Sequence, residues 1–121
     1  MTTFKFGQFE TEIDTSDFKF MEKFETKSIE LDAATNKVQK EGRRSEIIKK
    51  MCELGFAYFD DLFGAGTAQL LFEGKINMRL CDGAMYALAE AIAEDQRIYN
   101  DEVKAEMSKY TGNRQQRRKK K

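Results

Sequence analysis

The chain alternates in polarity over residues 3–13 and then changes period. Phe4, Phe6, Phe9, Thr11 and Ile13 fall between Lys5, Glu10 and Glu12, and Gly7-Gln8 interrupts the run. A period of two with a two-residue break predicts a small β-hairpin over about 3–13. A lone hairpin is marginally stable, so this one requires a helix beneath it or another chain beside it. Six of the ten phenylalanines precede residue 25, and so heavy an aromatic load has to be buried somewhere.

From residue 14 the spacing becomes helical. Asp14, Thr15 and Ser16 supply oxygens that cap a helix, and Asp17 favours its positive end. Phe18, Met21, Phe24 or Glu25, Ser28 and Leu31 then recur through to about Val38, where KEGRR breaks the pattern. The clearest helix follows. Ile47, Ile48, Met51, Leu54, Tyr58, Phe59, Leu62 and Phe63 keep the i, i+3, i+4, i+7 rule, with charged residues opposite, and Gly64-Ala65-Gly66 stops it. Thr67 to Phe72 reads as a short helical turn capped by Thr67, and Asn77 caps a third long helix bearing Leu80, Cys81, Ala84, Met85, Leu88, Ala91 and Ile92 on one face. Past Glu94-Asp95 the apolar spacing thins to Ile98, Tyr99, Val103, Met107 and Tyr110, so the helix runs on to about Lys109 with a solvent-exposed second half. The expected fold is mainly α: an N-terminal β-hairpin followed by three to four helices in one domain over 1–112, then a disordered basic tail over 113–121.

Charge divides the chain the same way. The 121 residues carry 21 basic and 21 acidic side chains, but Arg114, Arg117, Arg118, Lys119, Lys120 and Lys121 are six of the basic ones. The tail is therefore +6, and residues 1–113, with 15 basic against 21 acidic, are −6. The absence of His removes the commonest general base and transition-metal ligand. Cys52 and Cys81 sit on apolar stretches without CxxC spacing, which reads as two buried thiols rather than a zinc site or disulfide. The most apolar run, Ala84 to Ala93, falls well short of the roughly 20 residues that span a bilayer. With no signal-like apolar core at the N-terminus, a soluble cytoplasmic protein is expected.

No pattern points to catalysis, a cofactor or a metal. Gly74-Lys75 lacks the other residues of a phosphate-binding loop, with Gln69 and Ile76 at the positions that need Gly and Ser or Thr. Gly64 to Gln69 lacks the third glycine of a dinucleotide fingerprint and follows a helix. Asp60-Asp61 project about 100° apart on a helix and read as a solvated face. Two surfaces remain as interaction candidates. Phe4, Phe6 and Phe9 are either ordinary core or, on an exposed edge, a template for strand addition by a second copy. Arg114, Arg117, Arg118, Lys119, Lys120 and Lys121 form a tail that reads either as solubilising or seeking an acidic partner, the chain's own acidic body included, or as contacting nucleic-acid phosphates by sequence-independent attraction.

Residues Phe59 to Ile92 carry a resemblance. They include Asp61-Leu62-Phe63-Gly64-Ala65-Gly66-Thr67 and Asn77-Met78-Arg79-Leu80-Cys81, and the chain closes with Asn113-Arg114-Gln115-Gln116-Arg117-Arg118. These segments resemble the D-x-[LV]-F-G-x-G-T, N-x-x-x-C and N-R-x-Q-R-R patterns of small tail assembly chaperones from long-tailed bacteriophages and prophages of Gram-positive hosts. The resemblance implies a non-catalytic assembly factor of the host bacterial cytoplasm, absent from the mature virion. It implies a homo-oligomer that binds and solubilises the tape measure protein, with tail tube protein as a further partner. It also implies a frameshifted longer product, to which the Lys119-Lys120-Lys121 run corresponds as a slippery site. The alternative from another class is a small phage or bacterial nucleic-acid-binding regulator that uses the basic C-terminal tail.

Overall fold

A computed structural model describes residues 1–38 and 40–119, with side chains described as far as Tyr110. The alternating segment forms β1 (Thr2–Phe6) and β2 (Phe9–Ile13), paired antiparallel with Thr2 opposite Ile13, Phe4 opposite Thr11 and Phe6 opposite Phe9. Residues directly opposite share a face. Phe4 and Ile13 are therefore buried together, while Thr3, Lys5, Glu10 and Glu12 face solvent. Gly7 leads the two-residue turn with φ 58, a conformation that glycine adopts without a steric penalty. A Cβ at Gly7 would stand 2.5 Å from the Leu71 carbonyl oxygen, and the Gln8 N–H donates to the Leu70 carbonyl at 2.9 Å.

Helix α1 (Phe18–Asn36) is capped by Asp17, whose carboxylate accepts from the Phe20 N–H at 2.9 Å. Asp14 instead accepts from the Ser16 N–H, making the turn that precedes the cap. Phe18, expected on the inner stripe, is exposed, because the face that meets α2 is set by Phe20, Phe24 and Leu31. Helix α2 (Arg44–Phe63) buries Cys52, Tyr58, Phe59 and Leu62 and ends at Gly64, φ 114. The Gly64 to Gly66 reversal lays α3 (Thr67–Phe72) beside the last turn of α2. This corrects two expectations. Thr67 does not cap α3: it is buried and its hydroxyl donates to the Gly64 carbonyl at 2.7 Å. Gly66 holds the cap position and has no side chain to offer, so Asp60 reaches from α2 to accept the Ala68 N–H at 2.8 Å in its place and is no mere solvated carboxylate.

Helix α4 (Met78–Lys119) starts as expected from Asn77, whose side chain accepts from the Arg79 N–H at 2.9 Å. Its first half crosses beneath the hairpin and buries Cys81, Ala84, Leu88, Ala91 and Ile92. Gly83 permits the close approach: a Cβ there would meet the Phe6 ring at 3.3 Å. From Gln96 to Tyr110 every side chain is exposed apart from the half-covered Ile98. The helix runs beyond the end expected near Lys109, to Lys119, and of the tail expected as disordered over 113–121, residues 120 and 121 lie outside the described residues.

Candidate functional site

The hairpin aromatics lie in one cluster. Phe4 is buried, 6.3 Å from Phe59 and 5.6 Å from Phe63 with rings nearly parallel, and Phe9 lies 5.3 Å from Phe63. Phe6 sits 6.4 Å from Phe72, which in turn stacks on Phe56 at 4.9 Å. Offset and tilted aromatic pairs contribute about 0.5–1.5 kcal/mol each beyond area burial. Of the two readings left open for Phe4, Phe6 and Phe9, the side chains thus occupy the core one. Phe4 presents nothing to a second copy, while Phe6 and Phe9 keep partial exposure at the hairpin's turn end.

At the other end of the hairpin lies a residue that sequence reasoning missed. Asp95 is only 3% exposed, yet it is a carboxylate. Its Oδ2 accepts from the Thr15 N–H and the Thr15 hydroxyl, both at 2.7 Å, and its Oδ1 accepts from the Thr2 hydroxyl at 2.7 Å. The Met1 amino group stands 3.3 Å from Oδ1. Burial alone would raise the Asp95 pKa, but these donors outweigh it and hold the carboxyl at about 2, below its ordinary 3.8. The signal was present in the spacing, since Leu88, Ala91, Ile92 and Asp95 fall on one helical face. Asp95 therefore ties β1 and the β2–α1 turn to the point where α4 leaves the body.

Two exposed surfaces remain after this packing. Where α1 ends and α2 begins, Val38, Ile47, Met51 and Met78 line a groove of about 420 Å³ that also takes in Lys40 and Arg44. Lys37 and Lys50 line a shallower opening alongside it. The second surface is the projecting part of α4, where Tyr99, Val103, Met107 and Tyr110 are exposed. Single exposed apolar residues are ordinary, and a repeated set on one helix is a candidate interaction surface.

The remaining candidates are dispersed. Arg114, Arg117, Arg118, Lys119, Lys120 and Lys121 lie outside the residues with described side chains. Among the described residues no group of three or more His, Cys, Asp or Glu could hold a metal ion, and no helix is long and apolar enough to cross a membrane. Cys52 and Cys81 are both buried and free. Burial, followed by the neighbouring Cys52 thiol, pushes Cys81 up to about 12, so it stays protonated.

A hairpin folded over a helical body, with one helix extending past the core and a basic-edged apolar groove, defines a small, mainly α-helical protein. The chain matches the Family of unknown function (DUF6673) over residues 7–121 and belongs to it. No curated protein and no solved structure matches it.

Proposed function

We propose that this protein is a non-catalytic bacteriophage tail assembly chaperone that self-associates and binds the tape measure protein during tail morphogenesis in the host cytoplasm. The observation that carries the reading is the apolar surface left outside the core: Phe18 and Ile29 on α1, and Tyr99, Val103 and Tyr110 on α4. A factor that coats a long, partly apolar helical partner needs such surface in several copies. The segments that resemble the chaperones support it from the sequence side. Asp61 to Thr67 spans the reversal between α2 and α3, and Asn77 to Cys81 caps and opens α4, so both are junctions on which the packing of the body depends.

Co-expression tests the reading. A tape measure protein that is insoluble alone is expected to remain soluble and co-purify with this chain. Failure to solubilise it, together with salt-sensitive binding to duplex DNA that is lost on deleting residues 114–121, would replace the chaperone with the nucleic-acid-binding regulator.

A further inference from the structure

Helix α4 carries two surfaces at its two ends. Near its start Met78 contributes to the groove formed with α1 and α2. Farther along, Tyr99, Val103 and Tyr110 are exposed. At 3.6 residues per turn these three fall within an arc of about 40°, on the same face that buries Leu88 and Ile92 in the first half. The apolar stripe that packs the core thus continues beyond it. About 32 Å of helix separates Met78 from Tyr99, so the stripe and the groove of one chain cannot meet.

The two surfaces match in charge as well as in apolarity. Glu102 and Glu106 border the stripe, whereas Lys40 and Arg44 belong to the groove, with Lys37, Lys50 and the single acid Glu53 alongside. Glu106 is paired 3.2 Å from Lys109, but that pair is exposed and exchangeable. Arg97 is engaged on the opposite face, with its guanidinium 3.1 Å from Asp101. A groove with an apolar floor and basic neighbours fits an amphipathic helix with an acidic border, entering by its apolar face.

We propose that the exposed α4 stripe of one chain seats in the α1–α2 groove of a second copy, giving a head-to-tail contact. Each contact leaves one stripe and one groove free, so the assembly grows into a ring or an open helical array instead of stopping at a two-fold dimer. The proposal rests on the self-association part of the chaperone reading and names its interface.

Mass measurements on full-length variants test it. Val103→Glu disables the stripe, and Lys40→Glu with Arg44→Glu reverses charge at the groove; all three positions are exposed, and circular dichroism checks that the fold is kept. Over roughly 1–200 µM, a range suited to small interfaces, the wild-type mass is expected to rise beyond that of a dimer. Each variant alone is expected to stay monomeric. Their equimolar mixture is expected to reach the mass of a 1:1 dimer and no more, because only one productive contact survives. A monomeric wild type, a groove variant that assembles as wild type does, or a mixture that stays monomeric would overturn the proposal. Assembly of this kind without solubilisation of a tape measure protein removes the chaperone reading and leaves the interface; solubilisation with unaltered assembly of the groove variant does the reverse.

Discussion

Asp95 is the residue whose replacement separates the forces holding the hairpin to the body. Asp95→Asn keeps the shape of the side chain and one carbonyl oxygen. Placed at the Oδ2 position, that oxygen still accepts from Thr15, but the amide NH2 then faces the Met1 amino group and the Thr2 hydroxyl. The hydroxyl can rotate to accept, whereas the amino group cannot. Since hydrogen bonds to an ionised acceptor contribute about 1.5–3 kcal/mol, the expected loss at pH 7 is about 2 kcal/mol. Asp95→Ala also strands the Thr15 N–H and should cost about 4 kcal/mol, a large part of the stability of a domain this size. The pH dependence gives an independent measure. The folded pKa of about 2 lies below the ordinary 3.8, so the stabilisation is complete above about pH 5 and lost as the pH falls through 2. It amounts to about 2 kcal/mol. Urea unfolding followed by near- and far-ultraviolet circular dichroism at pH 7 and at stepped acid pH would read both quantities. If Asp95→Asn matched wild type within about 0.5 kcal/mol at pH 7, or lost as much stability in acid as wild type does, the carboxylate would not be the tie inferred from its geometry.

Three further outcomes follow from the packing. Gly7→Ala would place a Cβ against the Leu71 carbonyl at φ 58 and should lower stability by about 2–3 kcal/mol, with faster amide exchange at Gln8 as its local signature. Asp60→Ala removes the cap of α3 and should cost about 1 kcal/mol in urea unfolding, whereas Asp61→Ala, on an exposed carboxylate 3.9 Å from Lys27, should change stability by less than about 0.5 kcal/mol. Cys81, buried and held near 12, should resist a disulfide reagent at pH 8 until urea unfolds the chain; rapid labelling of the folded protein would contradict its burial.

Much of this fold is written in short-range periodicity. The hairpin, the last turns of the α2 stripe from Tyr58 to Phe63 and the capping by Asn77 each depend on a few neighbouring residues, and each appears where its pattern indicates, whereas Ile47, Met51 and Leu54 of the same stripe stay outside the core. What the sequence left obscure depends on contacts between distant segments. Asp60 reads as solvent-facing because nothing local shows that α3 will fold back against the end of α2. Asp95 reads as the end of an apolar stripe because its three donating groups lie 80 and 93 residues away. Phe4, Phe6 and Phe9 were legible as a buried-or-exposed pair of alternatives, and only the positions of Phe59, Phe63 and Phe72 decide between them. The groove is hidden for the same reason, being shared by the end of one helix and the starts of two others.

The link from Thr2 to Asp95 also sets a timetable for synthesis. The ribosome makes the aromatic hairpin first, but its inner face gains its full cover only after α4 has emerged as far as residue 95. Contacts of such long sequence separation slow folding, and unsheltered apolar surface invites aggregation meanwhile. Until then the stickiest segment of the nascent chain stays exposed, and a chain stalled before residue 95 has emerged should yield less soluble protein than one stalled after it.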